Sequence, residues 1–281
     1  MAAHASPPRT IHVVTASPGD LAGKRRGFKW VLVLLWLAIA GVVLWAAALF
    51  VIPRYLRYAA IEELKQLGEI TVTGERVRFR AVLPDQESFD RLGVLLRRVR
   101  WTSLDLAIEN SKVSDLSPLA GLSGLTTLNL DGTQVRDLSP LAGLSGLIVL
   151  SLDGTQVSDL SPLAGLSGLT VLSLDYMQVS DLSPLAGLRG LTVLSLWSTP
   201  VGDLSPLAGL SGLTELYLGH APVSDLSPLA RLSGLTELNL ERTQVSDLSP
   251  IAGLSRLRKI VLSGGIVVKI PESLEKVVER R

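Results

Sequence analysis

Three aspartates recur at one position of a 22-residue period. Asp131, Asp153 and Asp175 follow one another at this spacing, and Glu241 takes the same position three periods later. If each period is one coil of a stacked structure, neighbouring carboxylates lie about 4.8 Å apart, where like charges repel. A cation or a basic partner would relieve this repulsion. The alternative is a solvated acidic stripe that salt screens.

Aromatic side chains form the second candidate set in a chain with only 5% aromatic residues. Tyr176, Trp197, Tyr217 and His220 fall in neighbouring periods. Exposed Trp and Tyr residues are typical anchors of protein interfaces, and they also stack on sugar rings. The alternative is drift at surface positions of a duplicated array. We interpret these residues as one binding patch, with Trp197 facing the solvent.

Residues for catalysis or metal binding are scarce. There is no cysteine, and His4 and His12 lie far from the repeats, which leaves His220 alone in the repeated body. A zinc site and a thiol nucleophile are therefore not expected. The recurring GLSG is not the G-x-S-x-G nucleophile motif, and no glycine loop that could bind phosphate precedes a helix. The sequence predicts no enzyme, no cofactor and no metal site.

The elements that position these side chains are visible in one period, LTTLNLDGTQVRDLSPLAGLSG at residues 125–146. Leu128 and Leu130 alternate, as in a short strand with one buried face. The later apolar residues recur every three positions, which fits a tight helical return. Such a coil buries its leucines only against neighbouring coils, so the sequence predicts a solenoid.

The segment DLSPLAGLSGLT closes each coil and leads the chain into the next strand. Ser139 is expected to cap a short helix, with Pro140 at a first position where a missing amide donor costs little. An aspartate precedes this turn in every coil, and we interpret these aspartates as local capping groups. They are Asp115, Asp137, Asp159, Asp181, Asp203, Asp225 and Asp247.

The pattern L-x-x-L-x-L-x-x-T-x-V-x-D-L-S-P-L-x-x-L-x-x resembles the 22-residue bacterial leucine-rich repeat of the internalin class. The resemblance implies an α/β solenoid, a horseshoe or arc with a parallel β-sheet on its concave face, and partner binding as the usual role. Thr133 and its equivalents stand where that family commonly has asparagine. We therefore expect no continuous buried amide ladder, with water satisfying some backbone groups.

Charge is unevenly distributed along the chain. Residues 103–256 hold 15 acidic and 6 basic residues, whereas the whole chain has a net charge of +1. An acidic body repels phosphate backbones, so nucleic acid is not expected as a partner. The charge instead predicts a protein or peptide partner of basic character.

Residues 30–52 contain no charged side chain. As a helix they would be about 35 Å long, enough to cross a bilayer. Lys24 to Lys29 provide a basic cluster ahead of them, which predicts a signal-anchor with the N-terminus in the cytoplasm. A signal peptide cleaved near Ala46 is the alternative.

The sequence therefore predicts a single-pass cell-membrane protein that binds another protein through its concave face without catalysis. A carbohydrate or cell-wall binding module and a structural spacer are the alternatives. The oligomeric state and the partner's identity stay open. The expected divisions are a disordered basic tail (1–29), a transmembrane helix (30–52), a juxtamembrane segment with an N-terminal cap (53–102), the repeats (103–262) and a C-terminal cap (263–281).

Overall fold

The computed structural model describes residues 52–73, 76–81, 83–98, 102–263 and 268–280. Contacts divide the chain into two compact units, residues 1–55 and residues 56–281. The first unit lies outside the described residues except for its last four. The second unit contains all of the repeats.

Among the described residues, two helices and a hairpin precede the coils. Helix α1 spans Ile52–Leu64, strands β1 (Glu69–Thr73) and β2 (Arg76–Ala81) form an antiparallel pair, and helix α2 spans Gln86–Arg97. Asp85 caps α2, because its side chain accepts a hydrogen bond from the amide of Ser88 at 2.9 Å. The buried residues of α2 are Phe89, Leu92, Gly93, Leu95 and Leu96.

Helix α2 packs closely on the first coil at Gly93. A Cβ added there would lie 2.3 Å from the Cβ of Pro118. Such a distance is shorter than any van der Waals contact, so a side chain at Gly93 would push the helix off the coil.

A single 11-stranded sheet runs through the unit in sequence order, and only the β1–β2 pair is antiparallel. In the middle of the sheet each residue pairs with the residue 22 positions later, as Leu150 does with Leu172. The remaining strands are β3 (Ser103–Ile108), β4 (Leu125–Asn129), β5 (Val149–Ser151), β6 (Val171–Ser173), β7 (Val193–Ser195), β8 (Glu215–Tyr217), β9 (Glu237–Leu240), β10 (Lys259–Leu262) and β11 (Val278–Arg280).

Opposite the strands, each coil has a short 3₁₀ helix that starts at the serine of its DLSP segment, such as Ser139–Leu141. The strand leucines and the return leucines meet between the two sides, where Leu128, Leu138 and Leu141 are at most 1% exposed. Their burial is the main stabilising contribution, at about 1.5–3 kcal/mol per fully buried side chain.

The seven aspartates before these turns are called the turn row. The amide of Ser139 donates to Oδ1 of Asp137 at 2.8 Å, and the other six make the same contact two residues ahead at 2.7–2.8 Å. Leu138 occupies the N-cap position and Ser139 is the first residue of the helix, so the predicted serine cap is wrong. The aspartate takes that role because its carboxylate reaches the amide two residues on.

Buried threonines bond to the backbone at the positions where the family commonly has asparagine. The hydroxyl of Thr133 donates to the carbonyl of Leu130 at 2.7 Å, and Thr155, Thr199 and Thr243 make the equivalent contact. Each bond stays inside one coil, so these residues form no ladder between coils. In the first coil the buried hydroxyl of Ser111 has no partner within the described residues.

The predicted membrane span is corrected. No helix in the described part of the chain is long and apolar enough to cross a membrane. The longest, α1, has 13 residues, whereas a span needs about 20. Of the segment 30–52, only Ile52 lies among the described residues, as the first residue of α1. The transmembrane helix in the predicted fold and the predicted single-pass placement are therefore not supported.

Candidate functional site

The strands turn alternate side chains outward, and this outward surface is called the sheet face. Its residues form three rows across the strands. The valine row is Thr127, Val149, Val171, Val193, Glu215 and Glu237. The serine row is Asn129, Ser151, Ser173, Ser195, Tyr217 and Asn239. The face row lies one or two residues beyond the strand ends and is Asp131, Asp153, Asp175, Trp197, Gly219 and Glu241.

The three aspartates of the face row are hydrogen-bonded to the next coil. Oδ1 of Asp131 accepts from the hydroxyl of Ser151 at 2.6 Å and from the amide of Asp153 at 3.0 Å. Asp153 accepts in the same way from Ser173 and from the amide of Asp175. The acidic row is therefore a ladder that joins successive coils, rather than a set of free carboxylates.

Burial sets the electrostatics of this ladder. Burial raises the pKa of Asp153 and of Asp175 above the ordinary aspartate value. The hydrogen bonds that these carboxylates accept lower the pKa, but not enough to cancel this rise. The neighbouring carboxylates raise the pKa of Asp153 further. Within the described ranges, no group of three His, Cys, Asp or Glu residues is arranged to hold a metal ion. The repulsion expected from the sequence is present, and hydrogen bonds from the next coil offset it.

The ladder ends at Trp197. Its amide donates to Oδ1 of Asp175 at 2.7 Å, but its side chain offers no carboxylate to the following coil. The indole instead covers Gly219, where an added Cβ would lie 2.1 Å from a ring carbon. The indole also contacts His220, with the ring centroids 5.1 Å apart and the rings tilted by 48°.

Trp197 is consequently partly buried. The prediction that its indole faces the solvent is therefore corrected. Alternation along the strand placed it on the correct face, but the missing side chain at Gly219 lets it lie flat across the next coil. Among the described residues the Trp197–His220 contact is the one ring pair, so Tyr176 and Tyr217 do not stack with it.

The residue after the face row has a left-handed backbone in every coil. Gly132 and Gly154 have φ values of 66° and 64°, and glycine adopts this conformation at no steric cost. Tyr176, at 61°, occupies the same position in the next coil. A residue with a Cβ is strained there by about 1 kcal/mol. Other non-glycine residues at this position are Asn110, Ser198, His220 and Arg242.

Tyr176 is also the most exposed aromatic residue on this side of the described chain, at 62%. Its amide donates to the carbonyl of Trp197 at 2.8 Å, so the backbone holds it next to the Trp197–His220 pair. Three of the four predicted aromatic residues thus lie together, in three successive coils. They are called the aromatic group: Tyr176, Trp197 and His220.

The fourth, Tyr217, belongs to a polar part of the sheet face. Its hydroxyl donates to Oε2 of Glu215 at 2.7 Å. Burial and this hydrogen bond raise the pKa of Tyr217 strongly, so the phenol stays protonated. Beside it Glu237 binds Lys259 at 2.7 Å, and the amide of Glu241 donates to the side chain of Asn239.

Sequence reasoning missed the arginines of β2. Arg76, Arg78 and Arg80 alternate along the strand and lie at the start of the sheet face, paired in register with β3. Their carboxylate partners are Asp105 and Glu109. The alternation in RVRFRA was the available signal, but nothing in the repeat pattern indicates that β2 extends the parallel sheet.

Solved structures provide the comparison with known proteins. Internalin C2 from Listeria monocytogenes is 39% identical over 66% of this chain and 80% of its own, with a TM-score of 0.60. An internalin (InlF) from the same organism is 27% identical over 80% of this chain and 78% of its own, with a TM-score of 0.63.

A more distant likeness shows the fold alone. TLR13 in its complex with ssRNA13 is 21% identical over 70% of this chain and 30% of its own, with a TM-score of 0.56. No family model and no curated protein matches the sequence.

The match to internalin C2 includes the feature that defines this fold, a stack of short leucine-rich coils with one parallel sheet. Its identity extends over most of that protein's length. The chain therefore belongs to the internalin-like bacterial leucine-rich repeat proteins.

Proposed function

We propose that this protein binds another protein through the sheet face, without catalysis, and that the aromatic group is the centre of the contact. The solenoid fold supports this proposal, because stacked coils present an extended surface that such proteins use for binding. The remaining predicted site residues, Tyr217 and Glu241, lie on the same face toward the C-terminal coils.

The observation that carries the proposal is the exposure of Tyr176. The side chain is 62% exposed, so it contributes little burial to folding, and its backbone is strained at φ 61° where two earlier coils have glycine. Asn110, Ser198 and Arg242 have the same left-handed backbone, so the exposure of the ring, rather than the strain, points to a function. Exposed tyrosines also carry a large share of the binding free energy at protein interfaces.

The charge that would attract a basic partner comes from glutamates rather than from the aspartate ladder. Glu215 and Glu241 have no cationic partner within the described residues, whereas Glu237 has Lys259. The aspartates Asp131, Asp153 and Asp175 already accept hydrogen bonds from the next coil. We therefore expect the affinity for a basic partner to fall with salt and to depend on Glu215 and Glu241.

A matched pair of tyrosines provides the test. Tyr176→Ser changes the aromatic group, and Tyr58→Ser changes a tyrosine of equal exposure, 63%, on helix α1 away from the sheet face. The full chain and both variants are screened against arrays of secreted and surface proteins and of glycans. Tyr176→Ser should weaken protein binding by about 2 kcal/mol, and Tyr58→Ser should leave it unchanged.

The alternatives give different outcomes. A carbohydrate module would bind glycans with little salt dependence and would lose binding with Trp197→Ala, because sugar rings stack on aromatic faces. Binding to single-stranded RNA, as in the TLR13 complex, would show a steep salt dependence. A structural spacer would bind nothing on either array. Each of these results would contradict the proposal.

A further inference from the structure

The sheet face contains a cavity at its N-terminal end, far from the aromatic group in sequence. It has a volume of about 310 Å³ and lies among β2, β3 and β4. Arg76 and Arg78 form one side, Ala107 leaves space in the middle, and Thr127 and Asn129 form the other side. A cavity of this size accommodates a small polar group rather than a whole cofactor.

One carboxylate in the cavity is already neutralised. Asp105 is only 5% exposed. It accepts from Nε of Arg76 at 3.0 Å and from Nη2 at 3.3 Å, and the hydroxyl of Thr126 donates to it at 3.1 Å. This two-nitrogen contact fixes the orientation of Arg76 and leaves its Nη1 atom without a protein partner in the described structure.

Arg78 is the most weakly paired of the three arginines. Its contact with a carboxylate is a 3.6 Å approach of Nε to Asp105, and its side chain is 68% exposed. Arg80, two residues further, is paired with Glu109 at 3.0 Å. Glu69 of β1 lies opposite Arg80 in the antiparallel pair, so the charge of Arg80 is balanced on both sides. The one carboxylate contact of Arg78 is made through Nε, which leaves its two terminal nitrogens at the mouth of the cavity for a ligand.

We propose that this cavity is a binding subsite for a carboxylate group, supplied by an acidic side chain of a polypeptide laid along the sheet face. The assignment to a polypeptide rests on the proposed function, whereas the carboxylate chemistry rests on the cavity alone. A planar carboxylate matches the paired donors of an arginine side chain. Thr127 and Asn129 line the opposite side. The amide group of Asn129 already donates to Glu109 at 3.4 Å, and the side chain of Thr127 bonds to Asp105. The arginine nitrogens are therefore the donors that the ligand would use.

The subsite gives the sheet face two chemically different ends. Arginines lie at β2, and Glu215 and Glu241 lie in the coils of β8 and β9. With strands about 4.8 Å apart, roughly 30 Å separate them. A partner that fits both ends carries an acidic group at one end and basic groups at the other. The partner is then basic only in the part that contacts Glu215 and Glu241.

The test uses small probes, so that it does not depend on finding the partner. The ¹⁵N-labelled full chain is titrated with N-acetyl-glutamate methylamide, which has one carboxylate, and with the matched glutamine compound, which has none. Saturable shifts of the amide signals of Thr127 and Asn129 with the glutamate probe alone are the expected result. Inorganic phosphate is titrated as a second anion.

The variant Arg78→Gln removes the weakly paired cation. It should weaken binding of the glutamate probe about tenfold, while signals of the distant coils stay in place. Arg91→Gln is the matched control, because it makes the same charge change at an exposed position of helix α2. It should alter the affinity by less than about twofold.

Three results would overturn the carboxylate subsite: equal shifts with the glutamine probe, an unchanged affinity in Arg78→Gln, or tighter binding of phosphate than of the carboxylate. If the probe binds as expected but the protein arrays show no partner, the subsite stands and the proposed function fails. If a partner binds and the glutamate probe does not, the proposed function stands and the carboxylate subsite fails.

Discussion

Two rows of aspartates follow the same 22-residue period, and they differ in what they bind. Each residue of the turn row bonds to an amide two residues ahead in its own coil, as Asp159 does to Ser161. Each aspartate of the face row bonds to the following coil, as Asp153 does to Ser173 and Asp175. The turn row is complete in all seven coils, whereas the face row changes after Asp175.

The difference shows which positions of this solenoid can be replaced without loss of the stacked coils. A turn aspartate caps a bend that every coil makes, which matches its presence in all seven coils. A face aspartate stabilises the joint between two coils, and the sheet hydrogen bonds join those coils as well. Replacing it by Trp197 therefore leaves the stack intact and places a new surface on the sheet face.

The largest expected effect is that of Asp153→Ala in the middle of the ladder. The substitution leaves the hydroxyl of Ser173 and the amide of Asp175 without their acceptor. We expect the free energy of unfolding to fall by about 2 kcal/mol. Asp159→Ala, in the turn row, should cost less because water reaches the freed amide. Urea unfolding of both variants measures this, and equal losses would show that the face row is not a ladder between coils.

The second prediction concerns the end of the ladder. In Gly219→Ala the new methyl group occupies the place of the indole of Trp197. The ring must swing away, and we expect a loss of about 1–2 kcal/mol together with loss of its contact with His220. The NMR signals of both rings, assigned with Trp197→Phe, measure the displacement. Unchanged ring signals would mean that the indole does not cover Gly219.

A gain in stability is expected for Tyr176→Gly. Glycine removes the strain of the left-handed backbone, as it does at Gly132 and Gly154, and should raise the free energy of unfolding by up to about 1 kcal/mol. Ser198→Gly, at the same position one coil later, is the control and should gain similarly. If Tyr176→Gly instead destabilises the protein, the tyrosine contributes to folding and its exposure is no sign of function.

The smallest expected effect is a dependence on pH with opposite signs in the two rows. The raised pKa of Asp153 means that the folded state takes up a proton first on acidification. Its contribution to stability therefore improves as the pH falls through that raised pKa toward the unfolded value of about 3.9. Wild type should gain in melting temperature relative to Asp153→Asn over this window.

The turn row should show the opposite pH dependence of stability, at pH values below those at which Asp153 titrates. Hydrogen bonds from the hydroxyl and amide of Ser161 lower the pKa of Asp159, so its stabilising contribution is present above about pH 3.9 and is lost as the pH falls through the lowered pKa. Wild type should therefore lose melting temperature relative to Asp159→Asn at the most acidic pH values. The same sign in both comparisons would contradict the assignment of the two rows.

Features that depend on residues close together in the chain were predictable from the sequence alone. The alternation of Leu128 and Leu130 predicted the strand and its buried face, and the period predicted that equivalent residues stack. The turn aspartates were predicted as local caps because donor and acceptor are two residues apart, as for Asp137 and Ser139. The internalin-like family was confirmed for the same reason, since the repeat pattern itself carries the fold.

Features that depend on the distance between coils could be determined only from the folded structure. The carboxylate of Asp131 accepts from donors 20 and 22 residues away, and Arg76 binds Asp105 across 29 residues. Whether Trp197 faces the solvent or lies over Gly219 depends on the side chain that the next coil lacks. Such contacts require two backbones to approach within hydrogen-bond or van der Waals distance, and the residues of one coil do not specify that distance.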